Sequence, residues 1–357
     1  MQIKVAIIGC GRIADAHAGE IQRIPSARVV AVCDRELLMA EQLATRFSIP
    51  AYYDDTARML EEERPEVVHI ITPPEAHLKL AWQCLEAGCH IFVEKPVALD
   101  AADTQRLIAA ARQFSRKLTV GYIYLFDAAA IRLKEIVRSG ELGNIVHIES
   151  FYGYDLAGPY GSALAGDPDH WVHRLPGKLL QNTIDHLINK IVDLAPTVRP
   201  EVHAVGWQAS EAARRSGLVD ELRVQLRFGS VSAYASFSSQ VKPMPHLVRV
   251  YGTKRTVSLD LNSSSLRFET GLRLPTAIGR VMPPFAGAID QLRAGFANAS
   301  RFARSDFHFF SGLYELLRRF YACIESNTDP PIPYENIQNV ALIMDEIFAQ
   351  VRQSRAA

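Results

Sequence analysis

Apolar residues in the first third of the chain come as short continuous runs, whereas in the middle third they alternate with polar ones. Ile3–Ile8, Arg28–Cys33, Val67–Ile71, His90–Val93 and Leu118–Tyr122 are short and rich in β-branched residues, and a weaker run lies near Ala51. Continuous runs of this length are expected of strands buried on both faces of a parallel sheet. Helical periodicity fills the gaps, near 12–24, 36–46, 54–62, 74–87 and 100–114. Strand and helix in strict alternation predict a doubly wound sheet. The pattern then changes. A helix from Asp127 to Arg138 leads to a long strand starting near Asn144, and a loop rich in Gly, Pro, Asp and His covers 153–178. A helix from about Leu179 to Leu194 follows, and then alternating runs at 201–208, 218–228, 231–238, 246–251, 255–260 and 264–269. These predict an antiparallel sheet with one face against helices. Three helices, near 286–299, 307–326 and 335–351, close the chain. The expected domains are 1–123, an α/β unit, and 124–357, an α+β unit.

The first apolar run ends in Gly9-Cys-Gly11-Arg12-Ile13-Ala14, and the second ends in Asp34. Gly9 and Gly11 allow a tight turn and close approach of the backbone to a pyrophosphate. The following helix, starting near Arg12 and Ile13, offers its free N–H groups and positive dipole end to the same phosphates. Ala14 is small enough for close helix–strand packing. Asp34, about 20 residues further on, stands where an acid accepts hydrogen bonds from the adenosine ribose. Strand, turn, helix, strand and acid in order predict a dinucleotide-binding Rossmann unit. An anionic Asp34 repels a 2′-phosphate and favours NAD; neighbouring Arg35, able to stack on adenine or pair with a phosphate, keeps NADP as the second choice.

The totals remove several classes. At 357 residues and 48% hydrophobic content the chain can fill two cores. Lys+Arg and Asp+Glu are both 39, so bulk charge gives no reason to expect nucleic acid or an anionic membrane. Five scattered cysteines without a Cys-x-x-Cys pair suggest reduced thiols and a cytoplasmic setting, with neither a disulfide frame nor a zinc site. The strand at Ile3 leaves no room for a signal peptide, and no apolar stretch approaches the roughly 20 residues of a membrane span.

Two further strand ends point at the cofactor, since ligands of open α/β sheets bind beyond the carboxyl ends of the strands. One is Thr72-Pro73-Pro-Glu-Ala-His77 and the other Glu94-Lys95-Pro96. Thr72, Pro73, His77, Glu94 and Lys95 are therefore expected at the cofactor. Residue type alone makes a solvated surface lysine an equal reading of Lys95. Its place beside the cofactor edge favours an ammonium that donates to a substrate hydroxyl or to the carboxamide.

Together with Gly121-Tyr122-Ile-Tyr-Leu-Phe-Asp127 and Ser139-Gly-Glu-Leu-Gly-Asn-Ile145, these motifs resemble the glucose–fructose oxidoreductase / inositol dehydrogenase superfamily of sugar and polyol dehydrogenases over nearly the whole chain. The resemblance implies a C-terminal open-faced sheet that builds the substrate site and often the oligomer interface, here a homodimer or homotetramer. It also aligns His186 with a family histidine, carried on a helix as Asp-x-x-x-His, and puts Asn182 in place of the aspartate. Residues i and i+4 share a helix face, so Asn182 and His186 are expected to reach one substrate. Asp185 should point about 100° away. A neutral His186 can take a hydroxyl proton as hydride leaves the carbon. A lone histidine on an amphipathic helix is more often structural; the alignment and Asn182 reverse that here. Asn182 carries no charge and can only orient a hydroxyl. Ile123, Tyr124 and Leu125 suggest a pocket wall less suited to a highly hydroxylated or phosphorylated substrate. Lys95 and His186 are the expected catalytic pair, acting between the domains; Tyr122, Trp171, Arg174 and Asn182 are the expected substrate residues.

Trp171 can stack on a sugar ring and Arg174 can bind a carboxylate or phosphate; a loop packed on its own aromatic is the equal alternative. His170 and His173 lack the carboxylate or thiolate that would complete a metal site, and no metal is expected. The segment Leu272–Ser305, with Pro275, Arg280, Pro283, Pro284 and Phe285, reads as an oligomer contact or lid before a membrane-surface helix. The expected function is an NAD(P)-dependent dehydrogenase of a sugar, nucleotide-sugar or cyclitol. A nucleotide-sensing regulator without turnover, and NAD-assisted elimination or glycoside cleavage, are the alternatives that the loss of the helix carboxylate leaves open.

Overall fold

The apolar runs become strands of two separate sheets in a computed structural model, which describes residues 2–269, 276–304 and 310–356. The chain divides into two units, one of residues 1–123 with 312–341 and one of 124–311 with 342–357. In the first, β1 (Ile3–Ile8), β2 (Ala27–Cys33), β3 (Ala51–Tyr53), β4 (Val67–Ile70), β5 (His90–Val93) and β6 (Leu118–Val120) form an all-parallel sheet in the order β3-β2-β1-β4-β5-β6. The order reverses direction between β1 and β4, and the Gly9 turn leaves β1 at that switch point, where α/β sheets bind ligands. Val5, Ile7, Val67, Ile70, Ile91 and Phe92 are fully buried, each contributing about 1.5–3 kcal/mol of hydrophobic stabilisation. Asp55 and Asp100 cap their helices by accepting N–H groups of Arg58 and Asp103, each cap contributing about 1 kcal/mol.

Residues 312–341, which the sequence pattern groups with the second domain, belong instead to this first unit. Specific polar contacts explain their return. The Tyr321 hydroxyl meets His69 on β4, Tyr334 Oη accepts the Leu118 N–H at 3.0 Å, and Gln338 donates to the Ala101 carbonyl. Phe320 and Tyr321 are completely buried.

In the second unit, β7 (Ile145–Gly153), β8 (Glu201–Trp207), β9 (Glu221–Phe228), β10 (Val231–Ser238), β11 (His246–Gly252), β12 (Thr256–Asp260) and β13 (Ser265–Glu269) form one sheet in the order β13-β12-β11-β7-β10-β9-β8. Only β7 and β10 pair in parallel. The helix Asp185–Leu194 packs on β7 and β10, burying Leu187, Ile188 and Ile191 on the side of Ala233, Ala235 and Phe237. The other face is a mosaic: exposed Val205, Trp207, Tyr234 and Leu247 stand among the Arg227–Glu201 and Arg249–Glu269 ion pairs. The aliphatic face is thus the covered one, which alternation alone did not decide.

Within 153–178 the expected loop contains a helix, Pro159–Gly166, and a 3₁₀ turn, Trp171–Arg174. The helix expected near 286–299 runs from Thr276 to Ala303 with Pro283 and Pro284 inside it, although two missing donors weaken its early turns. Leu272 to Pro275 and Ser305 lie outside the described residues. Among the described residues no helix is long and apolar enough to cross a membrane, and no cluster of His, Cys, Asp or Glu could hold a metal ion.

Candidate functional site

The turn after β1 is built around Gly9. Its φ of +98° belongs to glycine, and a Cβ there would sit 2.9 Å from the Ile71 carbonyl carbon and the Thr72 nitrogen. Gly11 has nothing within 4 Å of a notional Cβ; with Arg12 it is exposed, and Ile13 is half-buried. No side chain caps the helix Ala14–Gln22, so its first turn presents backbone amides and the positive dipole end. Ala14 is fully buried against the sheet. The Asp34 carboxylate is fixed by two backbone donors, the Cys10 N–H at 2.7 Å and the Glu36 N–H at 3.0 Å. Each oxygen keeps a lone pair for a further donor. Arg35 is exposed. Burial pushes the Cys10 thiol up to about 12, which keeps it protonated and unreactive.

His77 is packed between the ends of β4 and β5. Its Nδ1 lies 3.0 Å from the Pro96 carbonyl and its Nε2 2.8 Å from the Thr72 carbonyl. The ring is completely buried. This corrects the expectation that His77 meets the cofactor directly: the ring is buried between the two turns, and its single N–H is spent on one of the two carbonyls that face it. The Thr72 hydroxyl is buried without a hydrogen-bond partner among the described residues, and Pro73 is exposed beside it. Glu94 Oε2 accepts the Lys95 N–H at 3.0 Å, and the Lys95–Pro96 peptide is cis. Lys95 is half-buried. Burial alone would raise the Glu94 carboxyl, but the hydrogen bond and any charge of His17, with the Lys95 charge and N–H, prevail and hold it below the usual carboxylate range. Tyr122 lies in the core of this unit at 3% exposure.

In the second unit the helix expected over 179–194 is two helices, Lys178–Thr183 and Asp185–Leu194, interrupted at Ile184. Asp185 Oδ1 accepts the His186 N–H at 2.8 Å, withdrawing that donor from the helical ladder, while the Thr183 hydroxyl bonds back to the Leu179 carbonyl. Asn182 and His186 therefore lie on opposite sides of a break, not on one continuous helical face. Asp185, expected to point away, brings Oδ1 to 4.0 Å from His186 Nδ1. His186 is 7% exposed, with the Tyr124 ring edge-on at 4.8 Å and Tyr152 at 5.7 Å. The same two tyrosines flank His246, at 4.4 and 4.9 Å, and Lys190, whose Nζ is 2.8 Å from His246 Nε2. Tyr124, read from sequence as a pocket wall, is thus a wall of the histidine itself.

Asn182 and Trp171 are half-buried and Arg174 is exposed. Trp171 lies 5.5 Å from the His170 ring, and Arg174 Nη1 donates to the Asp169 carbonyl. The loop does pack partly on itself.

Sequence reasoning missed His17, His69, Tyr321, Lys190 and His246, and turned Asp185 away from His186. Two had a signal: His69 interrupts the buried run Val67-Val-His-Ile70, and Lys190 falls within the apolar stretch of its helix.

Comparison with known proteins identifies the family. Residues 3–122 match the oxidoreductase family with an NAD-binding Rossmann fold, and residues 130–258 match the GFO/IDH/MocA C-terminal domain. Over 262 residues the chain is 32% identical to the uncharacterized oxidoreductase YrbE of Bacillus subtilis, covering 72% of this chain and 74% of that one. The chain belongs to the GFO/IDH/MocA oxidoreductase family. It is also 34% identical over 144 residues to the D-glucoside 3-dehydrogenase of Escherichia coli, a stretch covering 40% of this chain but only 41% of that relative. Its fold is shared with the WlbA dehydrogenase of Bordetella pertussis, solved with NADH and UDP-GlcNAcA, at TM-score 0.77 and 19% identity over 99% of this chain and 96% of that one.

The first unit fits the family's cofactor. The Gly9 cradle admits no side chain, Gly11 is open, Asp34 retains acceptor capacity, and the Thr72 hydroxyl is left for a ligand to satisfy.

Proposed function

We propose that this protein is an NAD-dependent dehydrogenase acting on a secondary alcohol of a sugar, nucleotide-sugar or cyclitol. The observation that carries the proposal is Lys95, held at the carboxyl edge of the Rossmann sheet by a Glu94 carboxylate that accepts its backbone N–H. When bound, NAD supplies the hydride acceptor. Gly9, Gly11, Arg12 and Ile13 would carry its pyrophosphate, Asp34 its adenosine ribose, with Arg35 beside it, and Thr72 and Pro73 its nicotinamide end. Lys95 donates a hydrogen bond to the reacting oxygen and polarises it. His186 takes the hydroxyl proton. The Asp185 carboxylate beside Nδ1 favours the imidazolium that results, a role the neutral Asn182 cannot take; Asn182 orients a hydroxyl. Trp171 and Arg174 extend the substrate surface.

A homo-oligomer paired through the mosaic face of the second sheet and a cytoplasmic setting are part of the same reading. The latter is supported by five free, buried cysteines. The test is NADH formation at 340 nm from NAD⁺ with a panel of glucosides, inositols and UDP-sugars. Turnover of at least one member is expected. Tight NADH binding with no turnover of any member would favour a sensor.

A further inference from the structure

Beneath Glu94 lies a line of buried groups for which the mechanism above has no use. Glu94 Oε1 is 3.2 Å from His17 Nε2, on the helix Ala14–Gln22. His17 Nδ1 is 2.9 Å from His69 Nδ1, on β4. His69 Nε2 is 2.9 Å from the Tyr321 hydroxyl, on the helix Ser311–Glu325 that returns to this unit. His17, His69 and Tyr321 are all completely buried, and Phe92 stacks on His69 at 4.8 Å.

The direction of every bond follows from an ionised Glu94 at one end and a His17 ring that carries a single proton. An ionised carboxylate only accepts, so His17 Nε2 carries a proton. A neutral His17 then accepts at Nδ1, and His69 must donate from its own Nδ1. His69 Nε2 is left as an acceptor, and the Tyr321 O–H donates to it. Burial supports the far end of the line: it holds His69 well below the usual imidazole range and Tyr321 well above the usual phenol range. Reversing the line with Glu94 still ionised would need both His17 nitrogens protonated, with the Tyr321 hydroxyl accepting from His69 Nε2.

We propose that Tyr321, His69 and His17 form a one-way hydrogen-bond relay that positions the Glu94 carboxylate and, through it, Lys95. The carboxylate has little room to do otherwise, because a Cβ on Gly121 would lie 2.6 Å from its Oε1. With one oxygen held by His17 and the other by the Lys95 N–H, Glu94 joins the helix of the pyrophosphate turn to the strand end that carries the lysine. The three are positioning residues, and their effect on turnover rests on the reading of Lys95 given above.

The test is long-range ¹H–¹⁵N correlation of the histidine rings in the full chain, with turnover measured in parallel on the best substrate of the panel. The wild type should show His17 protonated at Nε2 only and His69 at Nδ1 only, and a doubly protonated His17 would overturn the relay. In Glu94→Gln the amide oxygen stays on the Lys95 N–H and the amide NH₂ faces His17, so both rings should change tautomer. Turnover of Glu94→Gln should fall about tenfold or more in kcat with KM for NAD⁺ within about threefold, the signature of lost positioning and not of lost cofactor binding. His17→Gln, which keeps an N–H towards Glu94, should recover most of the kcat that His17→Leu loses. If Glu94→Gln leaves both tautomers unchanged, the relay is overturned. Equal turnover of His17→Leu and His17→Gln would also overturn it. Should His17→Leu fail to fold, the tautomers of Glu94→Gln decide alone. Full activity of Lys95→Ala would refute the catalytic reading of the lysine while the tautomers still judge the relay.

Discussion

Lys190 offers a quantitative test of how the His186 site is built. Its ammonium is 3% exposed, 2.8 Å from His246 Nε2, and 5.8 and 5.5 Å from the Tyr124 and Tyr152 rings. Burial lowers it to about 7, against the attraction of Asp185. An unfolded lysine titrates near 10.4. Between these values the unfolded chain holds more protons than the native one, so stability rises with pH across the window. The cost of the buried charge is fully present below pH 7 and is relieved as pH climbs towards 10. A shift of roughly 3 units corresponds to about 4 kcal/mol. Lys190→Met keeps the length and removes that cost, but leaves His246 Nε2 without its partner, a loss of about 1–3 kcal/mol. The variant should therefore be more stable than wild type at pH 6 by about 1–3 kcal/mol, and the advantage should shrink by about 3 kcal/mol by pH 9.5. Urea unfolding of both proteins at the two pH values measures this directly. A stability difference that does not change with pH would refute the reasoning, because it would mean that Lys190 titrates alike in both states.

The other expectations concern cofactor, proton and assembly. Asp34→Ala should weaken NADH binding about tenfold, as loss of a charge-assisted ribose bond implies, and change NADPH binding little; fluorescence titration with both cofactors checks it, and tighter NADPH than NADH binding by the wild type would contradict it. Asn182→Asp should alter the pH–rate profile on the acid side, since it adds a second carboxylate near the start of the His186 helix; an unchanged profile would remove Asn182 from the substrate's surroundings. Light scattering at micromolar concentration should show a dimer or tetramer, and a clean monomer would leave the Trp207–Tyr234 face without the role given to it.

Much of the first unit was legible in the sequence because a parallel sheet buried on both faces leaves continuous β-branched runs, and because the Gly9 turn and Asp34 have narrow conformational requirements. The strand ends bearing Thr72 and Lys95 followed from the same topology. The break at Ile184 was not legible: periodicity reports which face is apolar, whereas the interruption comes from a carboxylate competing for one backbone N–H. The return of residues 312–341 was hidden for a related reason. An amphipathic helix declares that it has a buried face but not which unit covers it, and Tyr321 finds His69 more than two hundred residues away. The Lys190–His246 pair depends likewise on a helix and a strand distant in sequence. His77 was assigned to the cofactor from its place in the motif, but it is fully buried between two carbonyls.

The central claim is that Lys95 and His186 carry the chemistry, and single-turnover and steady-state rates of Lys95→Ala and His186→Ala test it most directly. With NADH affinity confirmed by titration to be within about threefold of wild type, each variant should oxidise the best panel substrate about 10²–10⁴-fold more slowly, the range for a positioned acid–base group. Turnover of His186→Ala at the wild-type rate would make the helix histidine structural and contradict the account.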